Sequence, residues 1–331
     1  MKIAFTGDLV LQEIHDDPSC IFGDFKKKLD FHDAELCVNL ESPFIEENMK
    51  PIKDKITLYA YEDKVKYLKY LSPSLINLSN NHINDFGNLS SLLTVSILEN
   101  AKLSFFGVGL ENQEKNVIVD EKNRIIYLSY STRSTDFTGS RLFAESNFIG
   151  PYLPNFFQIK KLKEKHIDFK LILNMHWGIE DIAYPEPNKR TLAYELIDAG
   201  ADLIIGHHPH IIQPYEMYKD KYIFYSLGNF YFPDLYDRNG EIFKKALPHQ
   251  KTGIVPIFII KEKIFLKHII QVKIDEKKNL LVSDASLKSL TYQKKLYKIL
   301  HPIYLFILFN IRRFFRVIKN PRIILRKLKV S

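Results

Sequence analysis

Two histidines one residue apart, His208-Pro209-His210, follow the largely apolar run Ala201-Asp202-Leu203-Ile204-Ile205-Gly206. On an extended chain residues i and i+2 project to one side, so two imidazoles just past a strand end can hold a cation. Asp8, Glu41, the pair Asn81-His82 and His176 each follow an apolar run of their own. Strand ends that all carry metal-compatible groups point to one convergent site. Carboxylates, a carboxamide and imidazoles, without thiolate, suit Mn²⁺, Fe²⁺ or Zn²⁺ better than Ca²⁺ or a structural zinc. One or two such divalent ions lower the pKa of bound water towards neutrality and polarise a phosphoryl oxygen.

Neighbouring residues can complete that chemistry. The run Asn80-Asn81-His82-Ile83-Asn84-Asp85-Phe86-Gly87 crowds polar groups after a buried segment. Asn80 or Asp85 can cap a helix beginning near Gly87, but a cap uses only one of them. Asn81 offers a neutral oxygen that leaves a metal electrophilic. His82 can face a substrate oxygen, and Asp85, three residues on, can orient its imidazole. His176-Trp177-Gly178-Ile179-Glu180 reads as a crowded turn at the site, with Glu180 supporting the ligands; Trp177 is equally suited to plain packing. Ser226 and Asn229 can donate or accept hydrogen bonds around the ligands, or simply form a β-turn. His207 should point away from its neighbours and serve structure.

The elements that position these groups alternate between strand and helix. Residues 2–7, 35–40, 75–79, 103–106, 171–175 and 202–205 read as strands, and 62–71, 87–100, 155–166 and 188–199 as helices. Residues 117–119 and 124–131 read as a hairpin; 222–227, 253–260 and 263–273 are β-rich. Gly200 stands where a helix cap is needed. The pattern is that of an α/β domain. A chain of 331 residues with 46% hydrophobic and 26% charged content can bury a large core. Its two cysteines, Cys20 and Cys37, exclude a disulfide scaffold and suit a reducing compartment. The apolar run before Asp8 is too short for a signal peptide, so a cytoplasmic protein is expected.

The charge is uneven. Residues 294–331 hold eleven Lys/Arg and no Asp/Glu, against a formal net charge of +8 for the chain. Ile311, Phe314, Phe315 and Ile318 repeat at helical spacing, with Arg312, Arg313, Arg316 and Lys319 opposite; Pro321 then interrupts the pattern. Two basic amphipathic helices on an anionic membrane surface are the natural reading. A helix packed on the body or on a protein partner is the alternative. Nucleic acid is not expected, because the basic face is paired with bulky apolar residues that need burial. The apolar stretch 303–309 is far below the ~20 residues that span a bilayer. The expected organisation is a body at 1–275, a connector at 276–293 and the tail at 294–331.

Over about residues 1–275 the chain resembles the CapA family of bacterial capsule and poly-γ-glutamate synthesis proteins, within the calcineurin-like metallophosphoesterase superfamily. The resemblance rests on Gly7-Asp8, Asn39-Leu40-Glu41-Ser42-Pro43, Asn80-Asn81-His82 with Asp85 and Gly87, and His176-Trp177-Gly178 with Glu180. It continues through Gly200-Ala201-Asp202, Gly206 to His210, and Tyr225 to Phe230. It implies an α/β sandwich of two β-sheets flanked by helices, with the site at strand ends. It implies metal ligation by Asp8, Glu41, Asn81, His176, His208 and His210, with His82 assisting the leaving group. One ion set is then Asp8, Glu41 and His210, and the other Glu41, Asn81, His176 and His208. The wider superfamily places a histidine two residues after the first aspartate; here Val10 stands there, so one site should be weaker. The implied activity is attack by metal-activated water on a phosphoester, with His82 as acid, in cell-surface polymer synthesis at the inner face of the membrane. The alternative is a non-hydrolytic subunit of a polymer-synthesis complex that binds a polyanionic chain.

Overall fold

A computed structural model describes residues 1–53, 55–135 and 143–285. The tail with Arg312, Arg313, Phe314, Phe315, Arg316 and Lys319 lies outside the described residues.

Two sheets make the body. In the first, strands run in the order Leu280–Asp284, Ile264–Ile274, Thr252–Ile260, Lys2–Leu9, Glu35–Leu40, Leu75–Asn77 and Phe105–Phe106, and Asn229–Tyr231 also pairs with Lys2–Leu9. In the second the order is Tyr215–Tyr218, Lys221–Phe224, Leu203–His207, Lys170–His176, Ile125–Ser131 and Val117–Asp120. Lys2–Leu9, Glu35–Leu40 and Leu75–Asn77 are parallel neighbours, as are Ile125–Ser131, Lys170–His176 and Leu203–His207. Their carboxyl ends therefore lie along one edge of each sheet, where α/β proteins build their sites.

Side-chain alternation explains the layers. Ile3, Phe5 and Cys37 of the first sheet join Ile172, Leu203 and Ile205 of the second in one cluster. Residues one step along the same strands point outward. Ala4, Leu36 and Val38 pack beneath Phe22 and Phe25 of helix Pro18–His32 and Leu68 of helix Val65–Leu71. Leu171, Leu173 and Ile204 pack beneath Ile159 of helix Phe156–Lys165 and Leu196 of helix Pro187–Ala199. Both faces of each central strand are buried, which is why these strands read as continuous apolar runs. The result is the sandwich of two sheets flanked by helices that the sequence implied. Truncating Ile172 to Ala at the inter-sheet core should cost about 2–5 kcal/mol.

The sheet does not stop at residue 275. Leu280–Asp284 pairs antiparallel with the end of Ile264–Ile274, so the segment expected as a connector contains a strand. The expected strand over 75–79 is shorter, Leu75–Asn77. Ser79 to Asn84 instead form the turn that carries site residues. Among the described residues no helix is long and apolar enough to cross a membrane.

Candidate metal centre

Polar residues at the carboxyl ends of the strands line up in rows. Asp8 is adjacent to Asn39 in register, and Asn39 to Asn77. Asn39 donates Nδ2–H to Asp8 Oδ1 at 2.7 Å, Asn77 donates to Asn39 Oδ1 at 2.7 Å, and Ser129 donates to Asn77 Oδ1 at 2.6 Å. That buried chain links the two sheets and fixes one oxygen of Asp8. Gly7 allows the second strand contact. A Cβ there would sit 2.0 Å from the Gly228 carbonyl oxygen, so only glycine lets Asp8 come level with Asn229. In the second sheet His176 is level with Ser131 on one side and His207 on the other.

The ligand atoms of Asp8, Glu41 and His210 lie within 4.8 Å of one another, and so do those of Glu41, His176 and His208. Glu41 belongs to both sets. Its Oε1 is 3.6 Å from His176 Nε2 and 3.8 Å from His210 Nε2. Asn81 joins the second set through Oδ1, 2.7 Å from His176 Nε2. Asp8, Glu41, His176 and His208 are wholly buried. Both oxygens of Glu41, Nδ1 of His176 and both ring nitrogens of His208 have no hydrogen-bond partner. Each such unpaired buried polar atom costs about 1–3 kcal/mol. Oxygen and imidazole donors gathered within 4.8 Å, with those of Glu41 and His208 left unpaired by the protein, fit a divalent cation.

Burial and the neighbouring charges shift the ionisation of both candidate sets. Burial first, and the Asp8 charge second, push the Glu41 carboxyl well above the usual range. Burial opposes the charge on Asp8 too, but His207 and His210 beside it hold its carboxyl well below that range. Burial, then His208, pushes His176 well down. Burial lowers His208 to about 3. Burial acts against a charged His210, yet Glu41 and Asp8 raise it to about 10. With no metal bound, His210 therefore carries a proton at neutral pH.

The route by which the histidines converge differs from the sequence expectation. The strand ends at His207, and His208 and His210 have φ of 96° and 56°. The segment is a left-handed turn around Pro209, not an extended run. The two imidazoles consequently enter different ligand sets, with ring centroids 6.1 Å apart. Non-glycine residues in such conformations cost of order 1–3 kcal/mol each and cluster at functional sites. His207 belongs to neither set. Its Nδ1 lies 3.4 Å from Asp8 Oδ1, so it faces a ligand from the side away from His210.

Beside the ligands sits a second group. His82 Nδ1 pairs with Asp85 Oδ2 at 2.7 Å, and Leu58 N–H donates to the same oxygen at 2.6 Å. Asn80 Oδ1 accepts from the His82 N–H at 3.0 Å and fixes the turn. Lys55 Nζ is 2.5 Å from Asp85 Oδ1 and donates to the Asn81 carbonyl. Asp85 does not cap helix Asn88–Asn100, which starts after Gly87 without a side-chain cap. Burial lowers the His82 imidazole; Asp85 opposes that shift and Lys55 adds to it. Sequence reading missed Lys55, which sits in an irregular stretch with no strand pattern.

The supporting residues are placed as follows. Asn229 Oδ1 is 2.9 Å from His210 Nδ1, and Asn229 Nδ2 donates to the Gln250 carbonyl at 2.7 Å. Ser226 Oγ accepts from Gly228 N–H and holds the turn behind Asn229 rather than touching a ligand. Burial pushes Glu180 up, but His208, His210, Lys244 and His82 carry it down to about 2. Trp177 packs, donating Nε1–H to the Tyr225 carbonyl. Val10 is buried with Leu58, Phe232 and Leu235 in an apolar cluster and offers no donor.

Residues 2–234 match the family model described as bacterial capsule synthesis protein PGA_cap. The capsule biosynthesis protein CapA of Bacillus anthracis is 34% identical over 203 residues, covering 59% of this chain and 49% of its own. The PGA biosynthesis protein CapA of Bacillus subtilis strain 168 is 34% identical over 201 residues, covering 59% and 52%. The chain thus spans about half the length of these curated relatives. A hypothetical protein from Thermus thermophilus shares the fold, with a TM-score of 0.50 at 12% identity over 86% of this chain and 100% of that one. Since the family match takes in most of the chain, and with it every candidate ligand position from Asp8 to His210, the chain belongs to the bacterial capsule synthesis protein (PGA_cap) family.

Proposed function

We propose that the protein is a metal-dependent phosphoric ester hydrolase acting in capsular or cell-surface polymer biosynthesis. The observation that carries this reading is the pair of buried triads sharing Glu41, with the Glu41 and His208 ligand atoms unpaired, beside the His82–Asp85 pair. Asp8, Glu41 and His210 would hold one ion, and Glu41, Asn81, His176 and His208 the other. A divalent ion there, Mn²⁺, Fe²⁺ or Zn²⁺, supplies Lewis-acid polarisation of a phosphoryl oxygen and acidifies water. The chain's own residues do the rest. Asp85 accepts from Nδ1–H of His82 and favours its doubly protonated form, against burial and Lys55; in that form Nε2–H would pass its proton to the departing oxygen and leave the imidazole neutral. Lys55 keeps Asp85 anchored from its other oxygen. Asn229 orients His210, and the Asn39–Asn77–Ser129 chain orients Asp8. A panel of phosphomonoesters and phosphodiesters with Mn²⁺ tests the reading. Turnover should appear in the wild type and vanish in His208→Ala; no turnover on any member would remove the hydrolase.

A second reading is a non-hydrolytic, polyanion-binding subunit of a polymer-synthesis complex. Val10 favours it, since an apolar residue closes off one ligand position. Under either reading the basic tail would seat the protein on an anionic membrane surface. Vesicle flotation of the full chain against a variant ending at Gln293 checks this. The full chain should float with anionic lipid and the shortened one should not.

A further inference from the structure

The family match ends at residue 234, yet a buried polar residue beyond it reaches the metal centre. Strand Thr252–Ile260 runs antiparallel beside Lys2–Leu9, with Lys2 level with Ile259 and Ala4 with Ile257. Its first residues therefore arrive at the carboxyl end of Lys2–Leu9, where Asp8 stands. Gly253 allows the approach, since a Cβ there would sit 2.1 Å from the Asn229 carbonyl oxygen. Just before this strand, in the single turn Pro248–Lys251, Gln250 is wholly buried. Each of its polar groups is engaged. Its N–H donates to the Leu247 carbonyl at 2.9 Å, and its Oε1 accepts from the Leu247 N–H at 3.0 Å. Nε2 then points the other way and donates to Asp181 Oδ1 at 2.8 Å. A carboxylate accepts there and a backbone N–H donates at the other end, so the sense of the amide is fixed.

Two contacts lead from Gln250 to one turn. Its carbonyl accepts from Asn229 Nδ2 at 2.7 Å, which turns Asn229 Oδ1 to His210 Nδ1 at 2.9 Å. That nitrogen donates, with Asp8 Oδ2 also facing it at 3.3 Å, and Nε2 is left as the ligand atom, 3.8 Å from Glu41 Oε1. The side chain leads to the same turn by another route. Asp181 has φ of 59°, a left-handed conformation uncommon outside glycine. Its N–H donates to the Pro209 carbonyl at 2.8 Å. Gln250, with the partly exposed His249 on the same oxygen at 2.9 Å, holds the Asp181 side chain and keeps that N–H aimed at the turn. The carbonyl so held belongs to the peptide that leads into His210.

We propose that Gln250 is a positioning residue, whose side chain acts through Asp181 to hold the His208-Pro209-His210 turn and so aims His210 at the ligand set of Asp8 and Glu41. The proposal rests on the metal-binding part of the proposed function, and not on hydrolysis.

The test uses the full chain and two variants. Gln250→Met fills the same space but gives Asp181 no donor. Asp181→Asn combined with Gln250→Glu restores the contact with donor and acceptor exchanged. In a calorimetric Mn²⁺ titration, Gln250→Met should weaken the step at Asp8, Glu41 and His210 by about 10–100-fold, the usual cost of losing a residue that orients a ligand. The step at Glu41, Asn81, His176 and His208 should stay within about threefold, and the double variant should recover the first step to the same margin. Amide hydrogen exchange of the metal-free protein supplies a reading that needs no ion. The Asp181 amide should exchange about tenfold faster or more in Gln250→Met and recover in the double variant. The Ile76 amide, bonded to the Ser104 carbonyl in the first sheet, should not change. If the wild type takes up no Mn²⁺ but exchange follows this pattern, the hold on the turn stands and the metal centre falls. Equal weakening of both steps, unchanged exchange at Asp181, or a double variant no better than Gln250→Met would overturn the proposal.

Discussion

Both oxygens of Glu41 are buried without a hydrogen-bond partner, and the carboxylate lies between Asp8, His176, His208 and His210. His82 differs from these residues, because Asp85 and the backbone hold it outside both triads. That separation makes a clear prediction. His82→Ala should keep the metal stoichiometry and lose about 10²–10⁴-fold in turnover, the usual share of a general acid. Metal analysis and steady-state rates on the same preparation check it; unchanged turnover would remove His82 from the mechanism. The ligand residue types were legible in the sequence because each interrupts or ends an apolar run. Asn39 and Asn77 carried the same signal, a polar residue inside a buried strand, yet pass as ordinary strand residues until the rows are assembled. Lys55 carried none, since a lysine in a charged loop reads as solvated. The approach of His207 to Asp8 was not legible, since it is a contact between two sheets.

The strands were legible because burial on both faces makes them continuous apolar runs between polar ends. Helix Pro187–Ala199 was legible from its Gly200 stop, one residue short at its Pro187 start. What sequence could not give was the conformation after each strand. Nothing in His208-Pro209-His210 announces two positive φ values, because such values are uncommon for any residue other than glycine. The close approach of Gly7 to Gly228 is a tertiary fact as well, and it sets a test for the element. Gly7→Ala should force Lys2–Leu9 away from Asn229–Tyr231, at about 2–4 kcal/mol by overpacking, and should weaken metal binding by moving Asp8 from Asn229. Denaturant unfolding of the metal-free protein measures the first effect. Stability equal to wild type would mean that the two strands have room to separate.

At the scale of the molecule, closing the sandwich places a large set of ionisable groups out of water, and pH becomes the handle on that choice. A ligating imidazole must give up its proton. His210, raised to about 10, must release one when an ion enters at neutral pH. Metal uptake at pH 7 should therefore release at least one proton, from His210 and in addition any that the upshifted Glu41 carboxyl holds, and affinity should climb about tenfold per pH unit for each proton released. Titration in buffers of different ionisation enthalpy reads that proton count; metal affinity independent of pH would contradict it. Stability of the metal-free protein should respond to His208. Its folded value of about 3 lies below the ordinary 6.5, so the unfolded chain binds the proton first. Its contribution is complete above pH 6.5 and is lost as pH falls towards 3. His210 has the opposite sign, contributing below 6.5 and fading as pH rises through 10. Underlying all of this is the shared carboxylate, and a Mn²⁺ titration of wild type beside Glu41→Gln addresses it most directly. The wild type should take up two ions in unequal steps, the weaker at the set lacking a donor from Val10, and Glu41→Gln should lose both steps. Two equal tight sites, or a variant that binds as the wild type does, would contradict the account.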